Sequence, residues 1–299
     1  MRTHTTLSAC LLATAFAASG SLVAQDDMQQ PSQDTPGLHG ELGFGITDMY
    51  FFRGIRQESS GLITQPWINL HYDLLDSDDG LQDLKFVFGQ WNSLHSGRTG
   101  PGGAIWYESR FWLGLEAQFG DRFHGGVRFN TYANPNGAAG TGLTNIEELQ
   151  FDFAYDDHGV FFEDLALNPY VTMAFELNNQ RDSGTGGPGF DKGIYFETGI
   201  APKFDIAELG GHPITLTAPT KFGFSFGDYY ENATGSDDFF GYFQTGAIAS
   251  APINCLTPRL GPWTAELGLN LIFLGDNLDA RNGGDNAELW FSFGLSTQF

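Results

Sequence analysis

Nine acids and four bases recur through this chain on alternate positions, with mostly apolar residues between them. The acids are Glu41, Asp73, Glu108, Glu116, Glu148, Asp152, Glu176, Glu197 and Glu266, and the bases are Lys85, Arg110, Arg128 and Lys221. Successive side chains of an extended strand point to opposite faces, so each charge lies on the face opposite its apolar neighbours. Leu149, Phe151 and Phe153 against Glu148, Gln150 and Asp152 show this most cleanly. Around an enclosed aqueous space, such charges would focus counter-ions, and the excess of acids would favour cations. The same charges could instead pair across the space and fill it. Both outcomes stay open at this level.

Other chemistry is poorly represented. His39, His71, His95, His124, His158 and His212 show no His-x-x-x-His or comparable ligand spacing, so no metal site is expected. Asp76-Ser-Asp-Asp-Gly80 has calcium-loop composition, but its glycine falls at the fifth position and no Glu follows at the twelfth. It reads as a solvated turn. His95-Ser96 lies in a Gly-rich stretch without nucleophile-elbow context, and adjacent strand residues point apart, so no catalytic Ser–His pair is expected there. Arg53, next to Gly54, reads as a turn anchor hydrogen-bonded to carbonyls in preference to a selectivity charge. No cofactor is implied.

The elements that carry these residues are strands. Two-residue alternation predicts them near 40–53, 62–75, 83–93, 105–118, 123–132, 146–156, 165–177, 193–204, 213–227, 239–250 and 263–274, with a last one over 287–299. Odd-numbered connections are mostly long and rich in Gly, Asn and Ser, whereas Phe119-Gly-Asp-Arg122 and Asp156-Asp-His-Gly159 are tight; Asp76–Gln82 and Ala251–Pro262 depart from that rule. No helical pattern interrupts the series, which argues against a parallel α/β sheet. Each segment can supply the roughly 9–11 residues that a tilted strand needs to cross a bilayer.

Composition agrees. Residues 1–24 read as a secretory signal peptide ending at Ala24, residues 25–39 as a disordered leader, and residues 40–299 as the strand-bearing domain. Removing the signal takes Arg2 from 14 basic residues, leaving 13 against 36 acids, or −23 formally. A chain this acidic should not seek nucleic acid. Cys255 would be the only remaining thiol, which excludes an intramolecular disulfide and a Cys-based zinc site. The 40 glycines, 28 phenylalanines and mean hydropathy of −0.20 suit a thin apolar surface band more than one continuous core.

Tyr50-Phe-Phe-Arg-Gly-Ile-Arg-Gln57 resembles the opening signature of the TorF family of putative porins, a Tyr-x-Phe-Arg-Gly-Ile-x-Gln run followed by a second strand of the kind seen at Gln65-Pro66. The residues carrying the match are Tyr50, Phe52, Arg53, Gly54, Ile55 and Gln57, and Phe299 resembles the terminal aromatic that outer-membrane barrels present to their assembly machinery. The resemblance implies an outer-membrane porin.

The expectation is an all-β protein: a closed antiparallel up-and-down transmembrane barrel of about 12 strands, as closure leaves no unpaired edge in lipid. Its expected place is the outer membrane of a Gram-negative-type cell, after export through the inner membrane. The expected function is passive, weakly cation-preferring diffusion of small hydrophilic solutes, without enzymatic activity. Expected partners are outer-membrane lipid, the barrel assembly machinery and the solutes, with a homo-oligomer possible. The alternatives are a structural or ligand-binding barrel with a filled lumen, and a soluble exported β-sandwich binding module.

Overall fold

The computed structural model describes residues 37–77, 80–100, 103–135, 145–162, 165–178, 192–209, 212–232, 234–253 and 262–299. The expected signal peptide, most of the expected leader, Cys10 and Cys255 lie outside these residues. In chain order the elements are β1 (Leu38–Thr47), β2 (Tyr50–Phe52), β3 (Ile55–Glu58), β4 (Ile63–Asp76), β5 (Leu81–His95), β6 (Trp106–Phe119), β7 (Phe123–Ala133) and β8 (Asn145–Tyr155). Then come β9 (Tyr170–Glu176), β10 (Ile194–Ile200), β11 (Lys203–Leu209), β12 (His212–Thr217), β13 (Thr220–Gly227), β14 (Phe240–Ile253), β15 (Trp263–Leu274), α1 (Asp276–Arg281) and β16 (Ala287–Gln298).

Twelve strands close into a ring in the order β14-β13-β10-β9-β8-β7-β6-β5-β4-β1-β16-β15 and back to β14. Neighbours in the ring run antiparallel. The first and last strands meet with Glu41 opposite Gln298 and Thr47 opposite Ser292. Phe299 extends that ladder by exchanging 2.8 Å backbone bonds with Gly40. Both ends of the barrel domain therefore lie at one end of the ring. At the opposite end lie the odd-numbered connections that were expected to be long.

The sequence expectation needs four corrections. Pairing begins at Leu38, opposite Tyr72, so residues 38 and 39 belong to the wall and not to the leader. The first wall strand stops at Thr47, and residues 50–58 leave it as the separate β2–β3 pair. The expected strands at 193–204 and 213–227 are each broken, at Ala201-Pro202 and at Ala218-Pro219, because proline has no N–H for the ladder. Each proline carbonyl still accepts, from Ala218 and Gly246 respectively at 3.0 Å, so β11 and β12 continue β10 and β13 past the kink. Finally, β4 ends one residue later than expected and β5 starts two residues earlier, which shortens their connection to residues 77–80.

The two faces of the wall differ as the alternation requires. Phe88, Leu113, Phe151, Phe222, Leu267, Leu269, Phe273 and Phe291 point outward and keep 39–65% of their surface exposed. A band this continuous is a liability in water and a solvent match in a bilayer. No helix among the described residues is long and apolar enough to cross a membrane.

The inward face uses glycine for close approach. A Cβ on Gly89 would lie 2.1 Å from the Trp112 ring, and one on Gly223 would lie 2.2 Å from the Tyr242 ring. Large aromatics on one strand thus lie flat over glycines of the next and do not project across the lumen. Substituting Leu269→Arg, at mid-strand on the lipid face, should lower unfolding stability by about 2–4 kcal/mol in a bilayer or lipid-detergent host. Chemical denaturation followed by tryptophan fluorescence measures the change.

Candidate functional site

The β2–β3 pair is a hairpin folded into the lumen. Tyr50 faces Glu58 and Phe52 faces Ile55, leaving Arg53-Gly54 as a two-residue turn with φ of +48° and +82°. Two left-handed residues make the primed turn whose twist matches that of paired strands. For Arg53 that backbone is strained by about 1–2 kcal/mol. Gly54 needs its lack of side chain twice over, for φ and because a Cβ would sit 2.5 Å from Leu278.

Side chains around the whole ring hold the hairpin. Arg53 makes a two-pronged pair with Glu148 of β8, at 2.5 and 3.0 Å, and also donates to the Tyr229 hydroxyl at 2.9 Å. Tyr132 of β7 donates to the same Glu148 at 2.9 Å. The Tyr50 hydroxyl donates to Glu108 at 3.0 Å and accepts from Arg110, which also pairs with Glu108. Arg56 pairs with Glu288 of β16 at 2.5 Å and with Asp285 at 3.2 Å. From above, Tyr230 donates to the Arg53 carbonyl and Asn282, after α1, donates to the Gly54 carbonyl.

The two faces of the hairpin each complete an aromatic cluster. Phe51 and Ile55 pack with Tyr195, Tyr229, Tyr230, Tyr242, Ile272, Leu278 and Trp290. Tyr50 and Phe52 pack with Ile63, Trp91, Tyr132 and Ile146. Two guanidiniums flank Phe52: Arg110 lies 4.1 Å from its ring centroid and Arg53 lies 4.9 Å away, and Arg53 also sits 4.2 Å from that of Tyr195. Such cation–π contacts contribute about 0.5–2 kcal/mol each, more as water is excluded.

The hairpin's far end is tied by a polar cluster. Glu58 accepts from the Ser59 and Ser60 amides at 2.9 and 2.8 Å and from the Ser60 hydroxyl at 2.8 Å. Burial works against its ionisation, yet hydrogen bonds from Thr99 and Ser60 hold its carboxyl below the usual carboxylate range. His95 bonds Ser93 at 2.8 Å through Nε2 and Thr99 at 2.8 Å through Nδ1, with Glu58 3.5 Å away. Ser93, His95 and Glu58 thus have relay geometry. Ser93 and His95 are both wholly buried, and His95 is stacked on Tyr107, so the trio ties β3 to the wall and presents no nucleophile to a substrate. The hydroxyl oxygen of Ser96, adjacent to His95, accepts from the Leu62 amide at 2.8 Å.

The thirteen sequence-predicted lining residues all fall on the inward face, and most are buried there. Glu116 pairs with Arg128 and Lys221 with Glu197, which three tyrosine hydroxyls also reach: Tyr195 at 2.5 Å, Tyr242 at 2.7 Å and Tyr170 at 2.8 Å. Glu41 accepts from Asn69, Asp152 from Gln150 and Thr172, and Glu176 from the Gly193 amide. Lys85 pairs with Asp83 and Asp73 with His39. Glu266 is 4% exposed.

Arg53 meets a carboxylate and not the carbonyls expected of it. Gln57 accepts from the Tyr107 hydroxyl at 2.6 Å. Sequence reasoning missed Glu58, Ser93, Tyr229, Tyr230 and Asn282, whose roles depend on an inward fold that period-two alternation does not encode. Among the described residues no group of three or more His, Cys, Asp or Glu is arranged to hold a metal ion.

No protein-family model and no curated protein matches this chain. Solved structures of low identity do. An outer-membrane channel from Pseudomonas putida F1 is 13% identical over 92% of this chain and 100% of its own, with a TM-score of 0.49. The NanC porin is 12% identical over 87% and 99%, with a TM-score of 0.43, and a Pseudomonas aeruginosa FadL homologue is 10% identical over 88% and 90%, with a TM-score of 0.38. These are outer-membrane β-barrel proteins; the fold assignment here rests on the strand ladder itself.

Removing one partner of the central pair should be harsh. Arg53→Ala leaves Glu148, which is 0% exposed, charged and uncompensated, at a cost of about 3–5 kcal/mol. Replacing Arg53 and Glu148 together by Met should cost less than either single change, as a double-mutant cycle in denaturant would measure.

Proposed function

We propose that this chain is an outer-membrane diffusion barrel of porin type, held closed at rest by the β2–β3 hairpin. The observation that carries the reading is that the hairpin is not part of the wall. It hangs on the connection between β1 and β4, and those two strands pair directly along the whole of β1 without it. Moving the hairpin therefore breaks no ladder bond of the ring. In this reading small hydrophilic solutes pass once it moves, and no step is enzymatic. Export through the inner membrane and insertion by the assembly machinery, with Phe299 as the signal, belong to the same reading.

Weak cation preference follows from the wall charges. The nine predicted acids exceed the four predicted bases, and adding Arg53 still leaves an excess of acids. A second reading, a structural barrel with a filled lumen, is favoured by the two aromatic clusters that the hairpin completes.

Planar-bilayer conductance separates the two. The native chain should show small or rare steps, and a variant with residues 50–58 replaced by a Gly-Ser linker should show steps severalfold larger. Reversal potential under a potassium chloride gradient should have the cation sign. A silent linker variant that still runs heat-modifiably on gels would leave the filled-barrel reading standing. An anion-selective one would refute the lumen charge assignment.

A further inference from the structure

One side of the inner wall is built differently from the rest. The inward positions of β1 and β16 include Gly43, Gly45, Ser292, Gly294 and Ser296, with Gly45 opposite Gly294 and Gly43 opposite Ser296. Ser292, Gly294 and Ser296 are part-exposed although they face inward, so they border open space within the ring, while Gly43 and Gly45 are buried, the first under the Trp67 ring and the second beside Gln65. This smooth track runs from beneath the hairpin toward the end that carries the termini.

Two buried donors adjoin the track without a protein partner. Gln65 of β4 is 4% exposed and its Nε2 has none; its side chain lies 3.8 Å from where a Cβ on Gly45 would be. Trp290 is wholly buried at the hairpin end of the track, two residues before Ser292, and its indole N–H has none either. Beside them, the part-exposed Trp67 ring lies flat over Gly43, 2.8 Å from where a Cβ would be. A Glu266 oxygen lies 3.3 Å from the corresponding point on Gly294. Glu41 shares the inner face of β1.

We propose that this track binds a neutral polyhydroxylated solute, a short saccharide. A hydroxyl both accepts and donates, so one ligand satisfies the Gln65 and Trp290 N–H groups while giving protons to carboxylates. An anion would meet Glu266 and Glu41, whereas a bare cation would leave both donors facing like charge. The part-exposed Trp67 ring offers an apolar platform for the C–H face of a sugar ring. Burying a donor without a partner is unfavourable, and the ligand's oxygen would relieve that cost.

The proposal deepens the diffusion reading and rests on it, but its test reads binding and not passage. Full-length protein in detergent micelles is titrated with maltotriose, followed by tryptophan fluorescence and calorimetry, with glucuronate as the anionic comparator. Saturable maltotriose binding is expected. Gln65→Leu and Trp67→Ala should each weaken it about tenfold, and Trp67→Phe should recover part of the loss, with heat-modifiable gel mobility confirming each fold. No saturable binding by the native chain, equal affinity for glucuronate, or unchanged affinity in the Gln65 and Trp67 variants would each overturn the site. Binding without conductance in any variant would sink the diffusion reading and leave the site in place; conductance without binding would do the reverse.

Discussion

The constraint behind everything else is that hydrocarbon offers no partner to a backbone N–H or C=O. It forces β16 back onto β1, because an open sheet would leave two edges unpaired in lipid. Closure then dictates the sidedness of each wall strand, since one apolar face must go outward and its alternate must go inward. It also creates a volume problem. About eight strands enclose a space that side chains alone can fill, and twelve enclose more. Here the surplus is taken up by the chain itself, through a hairpin from the first connection. The aromatics laid flat over neighbouring glycines leave room for it.

The energetics of that hairpin concern position more than net stability. Buried ion pairs lose much of their Coulomb gain to desolvation, so Arg53–Glu148 and Arg110–Glu108 need not stabilise the fold relative to apolar residues of the same size. What they do is penalise every other placement, because a displaced hairpin strands Glu148 in a wholly buried site. The strained left-handed backbone at Arg53 fits the same logic. It points a long side chain across the lumen from the tip of a tight turn, and the two-pronged contact with Glu148 offsets the local strain. Clamps on the Arg53 and Gly54 carbonyls then fix the tip from the loop side.

Most of the wall was legible in the sequence because a barrel strand is a local, period-two object. The bounds of β5, β6, β7, β8 and β15 fall within about two residues of those expected from alternation. The misreading at 50–53 has a physical cause: Tyr50 and Phe52 continue the alternation of β1, and nothing local announces that Arg53 will adopt positive φ. The Ala-Pro kinks were visible as residues, but their neighbours keep alternating, so two broken strands read as continuous ones. The inward charges were equally legible as a face. Their partners were not, since Arg53 and Glu148 are 95 residues apart and meet across the ring instead of between adjacent strands.

Under the diffusion reading, opening and selectivity are coupled through that one arginine. Closed, the lumen holds the Arg53 charge beside Glu148; opened, the hairpin carries Arg53 away while Glu148 stays on β8. Arg110 and Glu108 are both on β6 and remain together, whereas the hairpin itself carries Arg53, Arg56 and Glu58, so its departure removes two bases and one acid. The path therefore becomes more negative as it opens, and cations that enter take the place the guanidinium vacated. The same exchange supplies a restoring force, because an unpaired carboxylate between aromatic walls is the least favourable state of the site. Small cations and the hairpin would compete for Glu148, which makes the closed state depend on the ionic content of the lumen as well as on packing.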